Sequence, residues 1–400
     1  VSDSGAGERT RWADAVVLML CQSSQALVIG GIALFLPIIR RDLGLTFTQA
    51  GVLDGVSTLV YAFMQIPSGV LADRFGPRRL FLIGLLGVDV LALTFSLLHD
   101  YGLLVVNQAL SGFFRSLVFA PGLLLMAALF PPRRRATALG LYVAGGFSSN
   151  IFLNLVGPPL VGPLGWRVLF AAFAVLGAVA LLVFWRRSRS VPERRPVHVP
   201  LREALGVLRH GAMWLVAGIQ YIRLAVVFGI GVWLPTFIVS DHGYSLQVAG
   251  AVVAFSAAIT APANFLGGYV SDRLARPLLV IGGSLAMLTV TTFLLPRVHG
   301  IVPLLAIVGV NAIFVQFYFG PLFAVPVEMF GARSAGLVSG FGNFFANLGG
   351  FTFVYTLGAV RDATGSFTVG FDALAAACAV GVVLSGILAA LRSRRRPEVA

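Results

Sequence analysis

Lysine is absent from this 400-residue chain, and all 29 basic residues are arginine. Genome composition explains that bias as readily as a need for groups that never lose their proton, so it is given little weight. Charge of either sign is scarce, at 11% of residues against 58% hydrophobic, and this scarcity says more. A chain of such length could form two or three soluble domains, but it holds too little polar surface to solvate them, and a bilayer can be the solvent instead. Cysteine is limited to Cys21 and Cys378, far apart and each inside an apolar run. Neither a disulfide framework nor a thiolate metal site is suggested, and both read as packing residues. Histidine is missing from every apolar run, since His99, His198, His210, His242 and His299 all fall in predicted loops; an imidazole relay inside a membrane is thereby excluded. No nucleophile and base pair, no His/Cys/Asp cluster at metal spacing and no phosphate loop is found, so no metal or other cofactor is expected.

What is present is a series of apolar runs. A helix needs about 20 mostly apolar residues to cross the hydrocarbon layer, and twelve such runs lie near 13–38, 48–72, 80–98, 103–130, 136–162, 166–185, 212–239, 246–270, 278–296, 301–326, 336–359 and 367–391. The first follows a polar stretch, residues 1–12, and is too long for a signal-peptide core, so it is expected to remain as a span. The net charge of +13 raises nucleic acid as a partner, but placement argues otherwise. With both termini cytoplasmic, one side receives the N-terminal arginines, Arg74, Arg78, Arg79, Arg133 to Arg135, the 186–211 linker, Arg273, Arg276, Arg333, Arg392 and Arg394 to Arg396. The other side receives only Arg40, Arg41, Arg167, Arg297 and Arg361. That is the positive-inside pattern, and the partner it implies is a lipid bilayer, the cytoplasmic membrane, with no nucleic acid.

Residues 186–211 form the longest polar interruption and divide the chain into an N-terminal bundle, 13–185, and a C-terminal bundle, 212–391, followed by a cytoplasmic tail, 392–400. An offset of about 199 residues superimposes the halves: Gly51 falls on Gly250, Gly69 on Gly268, Asp73 on Asp272 and Arg74 on Arg273, with Pro121 near Pro321, Phe130 near Phe330 and Pro37 near Pro235. The chain is an internal duplication. Two repeated bundles are the plan of an alternating-access carrier, and the expected fold is all-α and polytopic, with twelve transmembrane helices in two pseudo-symmetric six-helix bundles.

The segment Gly69-Val-Leu-Ala-Asp73-Arg74-Phe-Gly76-Pro-Arg78-Arg79 resembles the loop between spans two and three of the major facilitator superfamily. Its echo, Gly268-Tyr-Val-Ser-Asp272-Arg273-Leu-Ala-Arg276, has Ala275 where the second glycine would stand. Gly165-Trp166-Arg167, Phe130-Pro131-Pro132 and Gly157-Pro158-Pro159 look like further landmarks of the superfamily, and the resemblance covers essentially the whole chain. It implies that Gly69, Asp73, Arg74, Gly76, Arg78, Gly268, Asp272 and Arg273 act as a conformational latch. Physically, Asp and Arg at a helix end can pair with each other or with a helix dipole, while glycine permits a sharp turn and close helix approach.

Polarity inside a span is costly, roughly 2.5 to 3.5 kcal/mol for a central arginine, so Arg115 in span four and Arg223 in span seven need a reason. Each lies roughly 17 Å along its helix, near mid-bilayer. The resemblance implies that spans one, four, seven and ten line a central cavity, which would bring both arginines to one substrate path. Asn107, Ser111 and Arg115 recur every four residues, and Gln220 and Arg223 are three apart, placing each set on one helical face. Gln22 and Gln25 repeat the latter pair in span one. Two guanidinium forks suit carboxylate, phosphate or nitrate oxygens; the competing reading is that structural acids or carbonyls neutralise them. Asn311, Gln316 and Tyr318 on span ten, Asn343 and Asn347 on span eleven, and Asn150 and Asn154 on span five are further candidates for substrate oxygens, or else for joining helices. Phenylalanines within 314–319 are candidate gates.

Arginines on spans four and seven make the chain similar to the anion:cation symporter branch of the superfamily, which includes the vesicular glutamate transporter group. It departs from that branch in having Gln25 in span one, Ser116 after Arg115, and Asn107 and Gln108 near the place of a further arginine. The expected function is secondary transport of a small organic anion, a mono- or dicarboxylate, by a monomer, coupled to H+ or by exchange. Asp54 and Asp89 are the candidate proton sites, because a buried carboxyl can load and release a proton as access alternates; Asp54 could instead cap a helix or pair with Arg40 or Arg41. Inorganic anion transport (nitrate, nitrite or cyanate) and drug/proton antiport are the alternatives, and a membrane enzyme or a transport-like sensor represents a different class.

Overall fold

The computed structural model describes residues 3–130, 135–187, 210–330 and 335–394. The helices are α1 (Asp3–Asp42), α2 (Phe47–Phe75), α3 (Pro77–Leu97), α4 (Tyr101–Leu129), α5 (Arg135–Arg187), α6 (Gly211–Ser240), α7 (Leu246–Leu274), α8 (Pro277–Leu294), α9 (Ile301–Phe317), α10 (Phe319–Phe330), α11 (Ala335–Thr364) and α12 (Thr368–Arg394). Among the described residues nine helices are long and apolar enough to cross a membrane. Helices α2 and α11 are also long, at 29 and 30 residues, and α5 is divided at Gly165, which is consistent with the expected twelve spans.

Local chemistry sets the boundaries. Gly76 (φ 83, ψ 143) turns the chain and Pro77 starts α3 at the first helical position, where its missing N–H costs nothing. Asp100 caps α4 by accepting from the Leu103 N–H at 2.9 Å, and Ser245 caps α7. Gly165 (φ 78, ψ 156) separates spans five and six within α5. Helix α1 begins at Asp3, within the polar N-terminal stretch. One expectation needs correction: the tenth span is broken, with α9 ending at Phe317 and α10 beginning at Phe319. Pro321 lies just after the break and has no N–H to give the Phe317 carbonyl four residues back.

The chain forms two compact units, one of residues 1–43 and 59–198, the other of residues 44–58 and 199–400. The division differs from the expected one in that the first turns of α2 belong to the second unit. Phe47 lies 6.1 Å from the Trp233 ring and 5.7 Å from the Phe367 ring. Gly51 leaves room for the Val354 carbonyl and Trp233, so a Cβ there would collide with both. The Trp233 indole donates to that same carbonyl at 2.8 Å. Asp362 accepts from the N–H groups of Phe47 (2.9 Å) and Thr48 (2.6 Å) and from the Thr48 hydroxyl, capping α2 from another helix.

Within the first unit α1 packs along α5 through glycine: Gly145 faces Met19 and Ser23, and the Ser23 hydroxyl donates to the Gly145 carbonyl at 3.1 Å. The landmark Gly165-Trp166-Arg167 has a mechanical role. Trp166 and Arg167 both bind the Asp42 carboxylate at the end of α1, the indole at 3.1 Å. The second unit repeats the device with Arg361 and Asp241 at 2.9 Å. Asp14 and Asp372 are likewise taken by Arg187 (2.9 Å) and Arg297 (2.6 Å).

Candidate functional site

Each unit holds one arginine buried within a span. In the first unit Arg115, 9% exposed, comes from the middle of α4 and lies 5.2 Å from the Tyr61 ring on α2, a distance at which the π face attracts the cation. Tyr61 is within electrostatic range of both Arg115 and Tyr142. The Tyr142 hydroxyl lies 3.0 Å from Gln22 Oε1 and 3.4 Å from the Val118 carbonyl, one turn beyond Arg115. Gln22 thus joins α1 to Tyr142, whose hydroxyl also reaches α4 at Val118. Gln25 and Ser111 are buried on the same two helices, and Gln25 Oε1 has no hydrogen-bond partner among the described residues.

In the second unit Arg223, 7% exposed, lies 4.4 Å from the Phe319 ring and donates to Gln220 Oε1 at 3.4 Å. Gln220 in turn packs over Gly342 of α11. Phe319 is the first residue of α10, and Tyr318, fully buried, is the residue at the break. Its hydroxyl has no hydrogen-bond partner among the described residues, and it is within electrostatic range of Arg223. The interruption of span ten therefore falls beside the arginine, and irregular backbone in a span is found where it lines a cavity. Gln316 is buried one turn earlier.

Several of the expected substrate groups make contacts within or between helices. Asn107 donates to the Leu91 carbonyl (3.1 Å) and to Thr94 Oγ1 (2.7 Å) on α3, and Asn311 to Thr291 (3.0 Å) and Thr292 (3.3 Å) on α8. The pair is one helix clamp repeated in both halves. Four-residue steps explain why Asn107 and Arg115 part company: at 3.6 residues per turn each step drifts by roughly 40°, so two steps turn Arg115 away from α3. Asn347 donates to the Asn343 carbonyl at 2.7 Å, and Asn154 to the Asn150 carbonyl at 2.8 Å. Both bonds use only the amide NH2, and Asn154 Oδ1 has no hydrogen-bond partner among the described residues.

Asp54 is half-buried on α2. Asp89 is 4% exposed in the middle of α3 and wedged against Gly177, where any side chain would strike the carboxyl. Neither of its oxygens has a hydrogen-bond partner among the described residues. At the latch, Gly76 forms the turn before α3, Arg74 is exposed over the Phe75 ring at 5.4 Å, and Arg78 is half-buried. In the repeat Arg273 donates to the Tyr269 hydroxyl at 3.3 Å, Asp272 is exposed, and Gly268 faces open space. The surroundings of Gly69 and Asp73 lie outside the described residues. Sequence reasoning missed Tyr61, Tyr142 and Gly342; no polar periodicity marks a tyrosine or a glycine in an apolar run.

An all-α chain that crosses the bilayer repeatedly in two duplicated units, each with a buried cation ringed by polar and aromatic groups, defines a multi-pass membrane transporter. The sequence profile of the Major Facilitator Superfamily matches residues 18–354, and the chain belongs to that superfamily. Among curated relatives, the "Probable nitrate/nitrite antiporter NarK1" of Thermus thermophilus is 26% identical over 277 residues, 65% of this chain and 61% of that protein, so less than two thirds of it is spanned. The "Probable sulfoacetate transporter SauU" of Cupriavidus necator is 27% identical over 398 residues, 87% of each chain. Among solved structures, a bacterial homolog of the human lysosomal transporter Spinster, in an inward-facing and occupied conformation, is similar with a TM-score of 0.79 at 20% identity, covering 96% of this chain and 97% of that one.

Proposed function

We propose that the protein is a secondary active transporter of a small organic anion, a mono- or dicarboxylate, working by alternating access in the cytoplasmic membrane with both termini inside. The observation that carries this reading is the burial of one guanidinium in each unit, Arg115 near the Tyr61 ring and Arg223 near the Phe319 ring and Gln220. A buried arginine offers a planar fork to a carboxylate, and an aromatic face beside it attracts the cation. Gln22, Gln25, Gln220, Gln316, Tyr318 and Ser111 add neutral hydrogen-bonding groups that fix orientation without adding charge. The relative named for sulfoacetate, which aligns across most of both chains, supports an organic anion.

Coupling to H+ is assigned to Asp54 or Asp89, with exchange as the alternative, and the transporter works as a monomer without enzymatic activity. An inorganic anion is the second reading, favoured by the relative named for nitrate and nitrite. A thermal-shift panel of mono- and dicarboxylates, sulfonates, nitrate and nitrite, run on purified protein at fixed ionic strength, decides between them. Stabilisation by a carboxylate or sulfonate and none by nitrate supports the organic reading, and the reverse order overturns it. Stabilisation by organic cations alone would remove the anion altogether.

A further inference from the structure

A second ligand site, whose lining does not include Arg223, lies in the second unit, and it does not depend on what the transporter carries. A groove of about 700 Å³ runs between the first turns of α8 and the last turns of α12. Its floor is made by absence: at Gly283 and Gly386 an added Cβ would meet nothing within 4 Å. Gly282 is covered by Ser385, whose hydroxyl is already spent on the Leu278 carbonyl at 3.0 Å. The walls are apolar, and Leu279, 61% exposed, stands beside the opening. The trough therefore offers carbon surface and no unsatisfied hydroxyl, on a face of the bundle that lipid touches.

Both arginines that line the groove are at one end of it. Arg276 is the exposed N-cap residue of α8, and Arg392 lies in the last turn of α12. The N-terminus of α8 adds the positive end of a helix dipole at the same place. An apolar trough with two guanidiniums at its mouth complements a molecule with a chain at one end and an anion at the other. We propose that this groove binds an anionic diacyl phospholipid, phosphatidylglycerol or cardiolipin, with its phosphate between Arg276 and Arg392 and an acyl chain over Gly283 and Gly386. A water-borne phosphate would use the mouth and leave the trough empty, whereas the trough is the larger part of the site. Ala275 (φ 50), which also lines the mouth, holds the turn before Arg276.

The test is native mass spectrometry of the full chain in mild detergent, titrated with phosphatidylglycerol, cardiolipin, phosphatidylethanolamine or inorganic phosphate. Wild-type protein retains the two anionic lipids in preference to phosphatidylethanolamine. Arg276→Gln combined with Arg392→Gln weakens anionic-lipid retention by about 30-fold, the factor two arginines give at about 1 kcal/mol each. Arg11→Gln combined with Arg79→Gln, an equal loss of charge elsewhere, leaves it within about twofold. Gly386→Leu fills the trough and abolishes retention of the anionic lipids; if that variant does not fold, the paired-arginine comparison decides alone. Equal losses in the two double variants, retention indifferent to headgroup, or binding satisfied by inorganic phosphate alone would each overturn the proposal.

Discussion

The two halves solve one turn in different ways, and the difference can be weighed. Gly76 closes the turn before α3 at φ 83, ψ 143, a region that only glycine occupies comfortably, whereas Ala275, at the equivalent place before α8, adopts φ 50, ψ 28, the left-handed helical region. An alanine there costs about 1–2 kcal/mol relative to its preferred conformations. Replacing it by glycine removes that strain but adds about 0.5–1 kcal/mol of chain entropy to be lost on folding. Ala275→Gly should therefore stabilise the protein by about 0.5–1 kcal/mol. Gly76→Ala must place a Cβ where the backbone forbids it, and should destabilise by about 1–3 kcal/mol. The assay is reversible unfolding of both variants in mixed micelles titrated with dodecyl sulfate. The reasoning is refuted if Ala275→Gly lowers the midpoint or if Gly76→Ala leaves it unchanged.

Asp362, just beyond the eleventh apolar run, is pushed up by partial burial, but hydrogen bonds from the Thr48 hydroxyl and the N–H groups of Thr48 and Phe47 outweigh this and hold its carboxyl below the usual range. A lowered folded value means that its contribution is complete above the unfolded value near ~4 and is lost as pH falls through the folded value. Asp362→Ala should cost about 1 kcal/mol at neutral pH, as loss of a helix cap does, and unfolding measured down to pH 2 should show the variant converging on wild type in acid. Asn311→Leu, which leaves Thr291 and Thr292 without their partner, should lower stability by about 1–3 kcal/mol in the same micelle titration while leaving the substrate concentration for half-maximal transport unchanged. If Asp89 carries the coupled proton, Asp89→Asn should abolish acceleration of uptake by external acid while counterflow at equal pH persists; a variant that keeps its acid response removes Asp89 from coupling.

The parts of the fold read from sequence were those written as long-range periodicity. Twelve apolar runs and an offset near 199 residues are visible because the bilayer demands length and the duplication repeats its landmarks. Arg115 and Arg223 stood out because an arginine in the middle of an apolar run is costly. Their surroundings were less legible. Tyr61 and Phe319 meet the guanidiniums, yet 32 phenylalanines and 8 tyrosines carry no mark of which ring will face a cation. Asn107 was placed with Arg115 by four-residue spacing, and the helical drift that turns it onto α3 accumulates only over two steps, while Asn311 was named only as a polar position on span ten, open to either a ligand or a helix contact. The break at Tyr318 was hidden by the repeat itself, since Pro121, the counterpart of Pro321, lies within an unbroken α4.

The central claim, that the two buried arginines bind the transported anion, is tested most directly by counterflow of a radiolabelled anion, chosen from the stabilising ligands, in proteoliposomes. The preparations are wild type, Arg115→Gln, Arg223→Gln and Arg223→Lys. Loss of one partner of a buried charge-assisted contact costs about 2–5 kcal/mol, so each glutamine variant should need at least about 30-fold more substrate for half-maximal exchange. Arg223→Lys, which keeps the charge without the fork, should fall between. Glutamine variants that saturate at the wild-type concentration would contradict the account.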